Sequence, residues 1–94
     1  MKLDKKLSFV IPCYYSEKTI SLVVDDIFKA FPKEDYQFEI ILVNDGSKDN
    51  TFSVIKGLAD KFPQVIAVNL AKNFGQDAAL MAGYTYATGD YIIS

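Results

Sequence analysis

The segment IILVNDGSKDNT, residues 40–51, passes directly from a strand-like apolar run into a polar loop. Residues 40–43 are all apolar, whereas residues 44–47 are all small or polar. A turn needs only one or two such residues, and Asp49 or Asn50 can then cap a following helix. The segment predicts strand, loop and helix in succession. The loop is compatible with an Asx-type turn and with a ligand site.

The same alternation of short apolar runs and helical periodicity extends along the whole chain. Apolar runs joined by helices predict the order βαβαβαβ, which is a Rossmann-like, three-layer α/β/α fold with a parallel sheet covered on both faces. Ligands of such sheets bind beyond the carboxyl ends of the strands. Strands are predicted at 7–12, 38–43, 64–70 and 90–94; helices from an N-cap at Ser16 to Pro32, from Asn50 to Pro63, and over 75–88, with Gly89 at the C-terminal end; and candidate site loops at 12–17, 44–50 and 71–76.

Composition narrows the possible functions. The 94 residues suffice for one domain, and the net charge of −2, with scattered lysines as the basic residues, does not fit nucleic-acid binding. With no histidine, catalytic triads and histidine–metal sites are excluded, and Cys13 alone allows no internal disulfide. No apolar run approaches the roughly 18–20 residues that span a bilayer. Any chemistry must use carboxylates, hydroxyls, amides, lysines or a metal held by oxygens.

The first two candidate loops carry residues suited to a nucleotide, although each also has a plain structural interpretation. Pro12 fixes the direction in which the chain leaves its strand, and Tyr14 offers a ring face. Asp45 can accept hydrogen bonds from the N–H groups of a nucleobase, and Gly46 allows close backbone approach. Cys13 is interpreted as a small buried hydrophobic residue, because no histidine is available to activate it.

The third loop brings Lys72, Asn73 and Gly75 to a helix start. A lysine there can bind a phosphate as a point charge. Asp77, in the first turn of the helix, suits the helix dipole without any ligand.

Three stretches, VIPCYYSEKTI, EIILVNDGSKDNT and LAKNFGQDAALMAGYTYATGDYIIS, together resemble the first half of a family 2 glycosyltransferase of the GT-A fold. The last stretch is similar to the branch of dolichyl-phosphate mannose synthases and bacterial polyprenyl-phosphate glycosyltransferases. The resemblance runs from about Leu7 to Ser94. It implies the strand order 3-2-1-4 and makes residues 1–94 the N-terminal nucleotide-sugar-binding part of a catalytic domain, truncated at the fourth strand.

The resemblance also implies an activity and a site. It implies an inverting transfer of sugar from a UDP-sugar or GDP-sugar to a polyprenyl phosphate or a glycan, with Mg²⁺ or Mn²⁺, at the cytoplasmic face of a membrane. The metal ligands are expected just after Ser94, and no catalytic residue is expected within the fragment. The fragment alone is therefore expected to be inactive. The implied nucleotide-sugar-binding residues are Pro12, Cys13, Tyr14, Glu17, Asp45, Gly46, Ser47, Lys72, Asn73 and Gly75.

Two positions depart from the family pattern, and the end of the sheet has its own consequence. Tyr15 stands where asparagine is common, and Asn44 stands where the first of two acidic residues is common. In the implied strand order, strand 90–94 forms an edge of the fragment with exposed apolar side chains. Such edges recruit further strands, so the fragment is expected to self-associate.

Other nucleotide-binding classes fit less well. A dinucleotide-binding oxidoreductase requires Gly-X-Gly-X-X-Gly after the first strand, where this chain has PCYYSE, and the phosphate-loop signature is also missing. A non-catalytic nucleotide-binding or interaction module stays open, because the residues named above can bind without reacting.

Overall fold

The computed structural model describes residues 4–94, which form a four-stranded parallel sheet with helices on both faces. The predicted α/β fold and the strand order 3-2-1-4 are confirmed. Along the chain the elements are β1 (Lys6–Cys13), α1 (Ile20–Ala30), β2 (Gln37–Asn44), α2 (Thr51–Lys61), β3 (Val65–Asn69), α3 (Gln76–Tyr86) and β4 (Tyr91–Ile93).

The core lies on both faces of β2, which is buried from Phe38 to Asn44. Because successive strand residues point to opposite faces, Ile40 and Leu42 join a cluster with α1 and α2, while Ile41 and Val43 join a second cluster with α3. The continuous apolar run that predicted a buried strand is thus explained by helices on both sides.

Two predicted helix ends are wrong. Ser16 is not an N-cap, because α1 begins only at Ile20, and the Ser16 carbonyl instead accepts the N–H groups of Thr19 and Ile20 across a turn. Gly89 does not cap α3, which ends at Tyr86 with Ala87 in an extended conformation. At the start of α2, Asn50 occupies the cap position, while the Asp49 carboxylate accepts the Thr51 N–H at 2.9 Å.

The edges of the sheet are β3 and β4. β4 pairs with β1 in the register Leu7↔Tyr91, Ser8↔Ile92 and Phe9↔Ile93, and the side chains of its three residues are exposed. Within residues 4–94, each helix is too short or too polar to cross a bilayer.

Candidate functional site

The loop after β2 is built around Asn44. Its side-chain oxygen accepts the Ser47 N–H at 3.2 Å, which closes an Asx turn, and its side-chain amide donates to Asn69 Oδ1 at 2.8 Å. The Asn44 carbonyl accepts the Leu70 N–H. One residue therefore shapes its own loop and fixes the end of β3 beside it.

Asp45 joins all three candidate loops. It is 4% exposed; its N–H donates to the Cys13 carbonyl, and its carboxylate Oδ1 accepts the Phe74 N–H at 2.9 Å. The convergence of the loops on one rim of the sheet is therefore observed, with Asp45 at its centre. The contact that the structure shows for this carboxylate is with the third loop.

Gly46 brings the second and third loops into backbone contact. Its φ is +73°, a region that favours glycine, and a Cβ on this residue would overlap the backbone of Lys72 and Asn73. The close approach predicted at Gly46 is therefore an approach to the chain itself.

The first loop is tied to the second through backbone amides. The Tyr15 N–H donates to Ser47 Oγ and the Ser16 N–H donates to Thr51 Oγ1, both at 2.8 Å. The Tyr14 and Tyr15 rings are about half exposed and meet edge to face, with centroids 4.6 Å apart. The loop thus presents aromatic surface at the rim of the sheet.

Between these loops lies an open cleft of about 340 Å³. Its walls combine aromatic rings, asparagine side chains and two lysines, of which Lys72 holds its Nζ 5.2 Å from the centre of the Phe74 ring. A surface of this kind can stack a planar heterocycle, pair with polar ring edges and attract an anion. The lining residues are Tyr14, Tyr15, Asn44, Gly46, Ser47, Lys48, Asn69, Leu70, Ala71, Lys72 and Asn73.

The cleft contains half of the predicted site residues. Tyr14, Gly46, Ser47, Lys72 and Asn73 line it; the others, Pro12, Cys13, Glu17, Asp45 and Gly75, do not. Pro12 and Cys13 end β1, Glu17 lies in the turn before α1, and Gly75 precedes α3. Whether any of the ten contacts a nucleotide stays a prediction.

Six residues that line the cleft are not among the predicted binding residues: Tyr15, Asn44, Lys48, Asn69, Leu70 and Ala71. Four of them lie within the predicted site loops 12–17, 44–50 and 71–76, whereas Asn69 and Leu70 fall within the predicted strand 64–70. The sequence does contain a pattern that could have identified Asn69. It is an asparagine at the end of an apolar run, as Asn44 is at the end of β2.

The Cys13 thiol is not a nucleophile in this setting. The side chain is fully buried and its Sγ donates to the Ile11 carbonyl at 3.5 Å. Burial raises the pKa of Cys13 to about 12, against a smaller opposing effect of a hydrogen bond with the Val43 backbone. The reading of Cys13 as a buried small residue is confirmed.

The sheet topology and the position of the cleft identify the class of protein. It is a Rossmann-like α/β protein with an open cleft beyond the carboxyl ends of its strands. The chain belongs to glycosyl transferase family 2, whose model matches residues 8–94. The family resemblance seen in the sequence is confirmed.

Curated relatives share this part of their length with the chain. A prophage bactoprenol glucosyl transferase homolog of Escherichia coli K12 is 40% identical over 88 residues, which are 94% of this chain and 29% of that protein. A dolichyl-phosphate beta-glucosyltransferase of Trichomonas vaginalis is 37% identical over 91 residues, which are 92% of this chain and 27% of that protein. The chain thus spans less than a third of these relatives.

Solved structures share the fold. The mannosyltransferase PcManGT from Pyrobaculum calidifontis, in complex with GDP-Man and Mn²⁺, superposes with a TM-score of 0.83 at 22% identity, over 96% of this chain and 26% of that one. TarS 1–349 of S. aureus, in complex with UDP, gives a TM-score of 0.78 at 28% identity, over 93% of this chain and 25% of that one. Both match this chain along about a quarter of their own length.

Proposed function

We propose that this chain is the nucleotide-binding part of a glycosyltransferase that transfers sugar from a nucleoside diphosphate sugar to a polyprenyl phosphate, with inversion, at the cytoplasmic face of a membrane. Membership of the family supports the reaction class. The names of the relatives, which include bactoprenol and dolichyl-phosphate glucosyltransferases, support the acceptor.

The composition of the cleft is the observation that carries the donor-binding role. Tyr14 supplies a ring for the base, and the paired amides of Asn44 and Asn69 supply donors and acceptors for polar edges. Lys48 and Lys72 supply positive charge for a diphosphate.

In the proposed reaction, the residues of the cleft bind and orient the donor nucleotide. An acceptor phosphate is already an oxyanion, so it needs less help from a general base than a hydroxyl would. Within residues 4–94, no group of three or more acidic or cysteine side chains is placed to hold a metal ion. These residues therefore do not fit the Mg²⁺ or Mn²⁺ site of the proposal, whose ligands would have to lie outside them.

Nucleotide binding by a matched pair of glycine variants tests the proposal. Gly46→Ala should weaken binding of UDP or GDP at least tenfold, because the added methyl group forces the second and third loops apart and opens the cleft. Gly57→Ala is the control: it lies in α2 with no atom within 4 Å of the added Cβ, and should leave binding unchanged. Calorimetric titrations of both nucleotides, with Mn²⁺ and with chelator, measure this.

Two results would contradict the proposal. One is the absence of UDP and GDP binding to the wild-type protein under all conditions, which would favour an interaction module. The other is equal binding by both glycine variants. If UDP or GDP binds, a panel of UDP- and GDP-sugars with undecaprenyl phosphate, run on the full-length protein, identifies the donor.

A further inference from the structure

A buried carboxylate lies at the end of the sheet opposite the cleft. Glu39, in the first half of β2, is 6% exposed. Its Oε2 accepts hydrogen bonds from Ser8 Oγ at 2.6 Å and from the Thr88 N–H at 2.7 Å, and its Oε1 accepts the Thr88 hydroxyl at 3.1 Å. One side chain thus links β1, β2 and the connection between α3 and β4.

Three consecutive amides of that connection donate to the sheet. The Thr88 N–H donates to Glu39, the Gly89 N–H donates to Ser8 Oγ at 2.8 Å, and the Asp90 N–H donates to the Lys6 carbonyl at 2.7 Å. The Asp90 carboxylate in turn accepts the Lys6 N–H at 2.8 Å. The chain is therefore fixed to its neighbours at each residue before β4 begins.

Gly89 allows this close attachment. A Cβ at Gly89 would lie 2.5 Å from Ser8 Oγ and 2.8 Å from the Lys6 carbonyl oxygen. No side chain fits between this residue and β1, so the connection lies directly against the strand. This steric need, rather than a helix cap, explains the glycine.

The charges around Glu39 favour its ionised form. Burial raises its pKa, but hydrogen bonds from Ser8 and Thr88 and the nearby Lys6 ammonium outweigh this and leave the pKa below its ordinary value. Lys6 Nζ lies 3.4 Å from Oε1 and also donates to the Thr88 hydroxyl at 2.7 Å. Asp90, which contacts the Lys6 backbone, is the other charged group in these contacts.

A buried ionised group contributes little net free energy to the stability of a fold. Burying a carboxylate costs free energy that apolar side chains of similar volume would avoid. However, the hydrogen bonds to a carboxylate are directional. A carboxylate that accepts several of them therefore favours one arrangement of its donors over other arrangements. The contacts therefore indicate positioning of the segment that carries these donors, residues 88–90.

We propose that Ser8, Glu39 and Thr88 form a clamp that sets the register of β4 against β1. β4 runs parallel to β1 and its last residue, Ile93, pairs with Phe9, so the chain that leaves β4 is directed toward the rim along the second half of β1. The clamp would therefore determine where the chain that leaves β4 arrives relative to bound donor. This last consequence rests on the proposed function, whereas the positioning of β4 does not.

Hydrogen exchange of the β4 amides tests the clamp. Thr88→Val removes the hydrogen bond from the Thr88 hydroxyl to Glu39 and keeps the one from the Thr88 N–H. Glu39→Gln replaces one carboxylate oxygen by an NH₂ group, which cannot accept a hydrogen bond from Ser8 or Thr88. Both should raise exchange at residues 89–93 about tenfold or more, and by a clearly larger factor than at the β2–β3 amides, which follow the global stability. Thr88→Ser, which keeps the hydroxyl, should restore protection. Glu34→Gln, an exposed carboxylate change, is the matched control.

The outcomes separate the clamp from general stability and from donor binding. Equal acceleration in all four strands, or acceleration no greater than in Glu34→Gln, would overturn the proposal. In the full-length protein, a normal affinity of Thr88→Val for UDP or GDP, together with a lower kcat and an unchanged donor KM, would support it. If wild type binds no nucleotide, the exchange result still decides whether β4 is clamped.

Discussion

At the residue scale, Tyr15 is a strained position in the first loop. Its φ is +52°, in the left-handed region that bulky residues rarely occupy and that costs them roughly 1 kcal/mol. Asparagine, which the family resemblance favours at this position, adopts that region more readily. The departure from the family pattern therefore has an energetic cost in the backbone.

We expect Tyr15→Asn to raise the free energy of unfolding by about 0.5–1 kcal/mol, because it relieves this strain. Urea denaturation followed by circular dichroism measures the change. Tyr14→Asn is the matched control, since Tyr14 is equally exposed and lies outside the left-handed region. A gain of stability in the control, or none at Tyr15, would refute the explanation.

Asp45 shows what sequence reasoning can and cannot give for single residues. Its place at the strand end next to a glycine identified it as important. Its contact, however, is an amide 29 residues further along the chain, from Phe74. Such a bridge depends on how β2 and β3 pair, which no local pattern contains. Contact with a nucleobase remains a prediction for this residue.

At the element scale, strands were more predictable than helix starts. The apolar runs located all four strands to within a residue or so, because burial between helices leaves a continuous hydrophobic signal. The observed N-cap of α1, Thr19, is three residues after the predicted Ser16, because the Ser16 N–H donates to Thr51 Oγ1 and its hydroxyl donates to the Tyr14 carbonyl. Glu39 and its partners could not be predicted, since the network joins segments 31 and 49 residues apart.

The pH dependence of stability should report Glu39. Its pKa is lowered in the folded state, so the ionised group stabilises the fold above its unfolded value of 4.5, and this contribution is lost as pH falls through the folded pKa. At about pH 7, Glu39→Gln should cost roughly 1–3 kcal/mol, since buried donors lose an acceptor. Below about pH 4 the difference from wild type should shrink.

Urea midpoints across this pH range measure the effect. Glu34→Gln changes an exposed residue in the connection before β2, and its urea midpoint should differ from that of the wild type by the same amount at every pH. A difference between Glu39→Gln and wild type that stays constant down to the acid limit would mean that the Glu39 charge makes no contribution.

At the scale of the whole molecule, β4 leaves one side of the sheet open in residues 4–94. Tyr91, Ile92 and Ile93 are exposed there, beside backbone groups able to pair with another strand. We expect this chain to self-associate, and Ile92→Lys to weaken the association, because a charged side chain disfavours strand addition.

Sedimentation over a range of concentrations measures the association. Leu22→Lys provides the control, since Leu22 is an exposed leucine on α1, outside the sheet. A monomer at all concentrations, or an equal effect of both lysine variants, would show that β4 is not the contact.

The separation of clamp and cleft along the same strands has an evolutionary consequence. Ser8, Glu39 and Thr88 share no residue with the lining of the cleft. Substitutions that retune ligand preference can therefore accumulate at one end of the sheet without disturbing the architecture anchored at the other. A scaffold divided in this way is well suited to diversify its chemistry while keeping its shape.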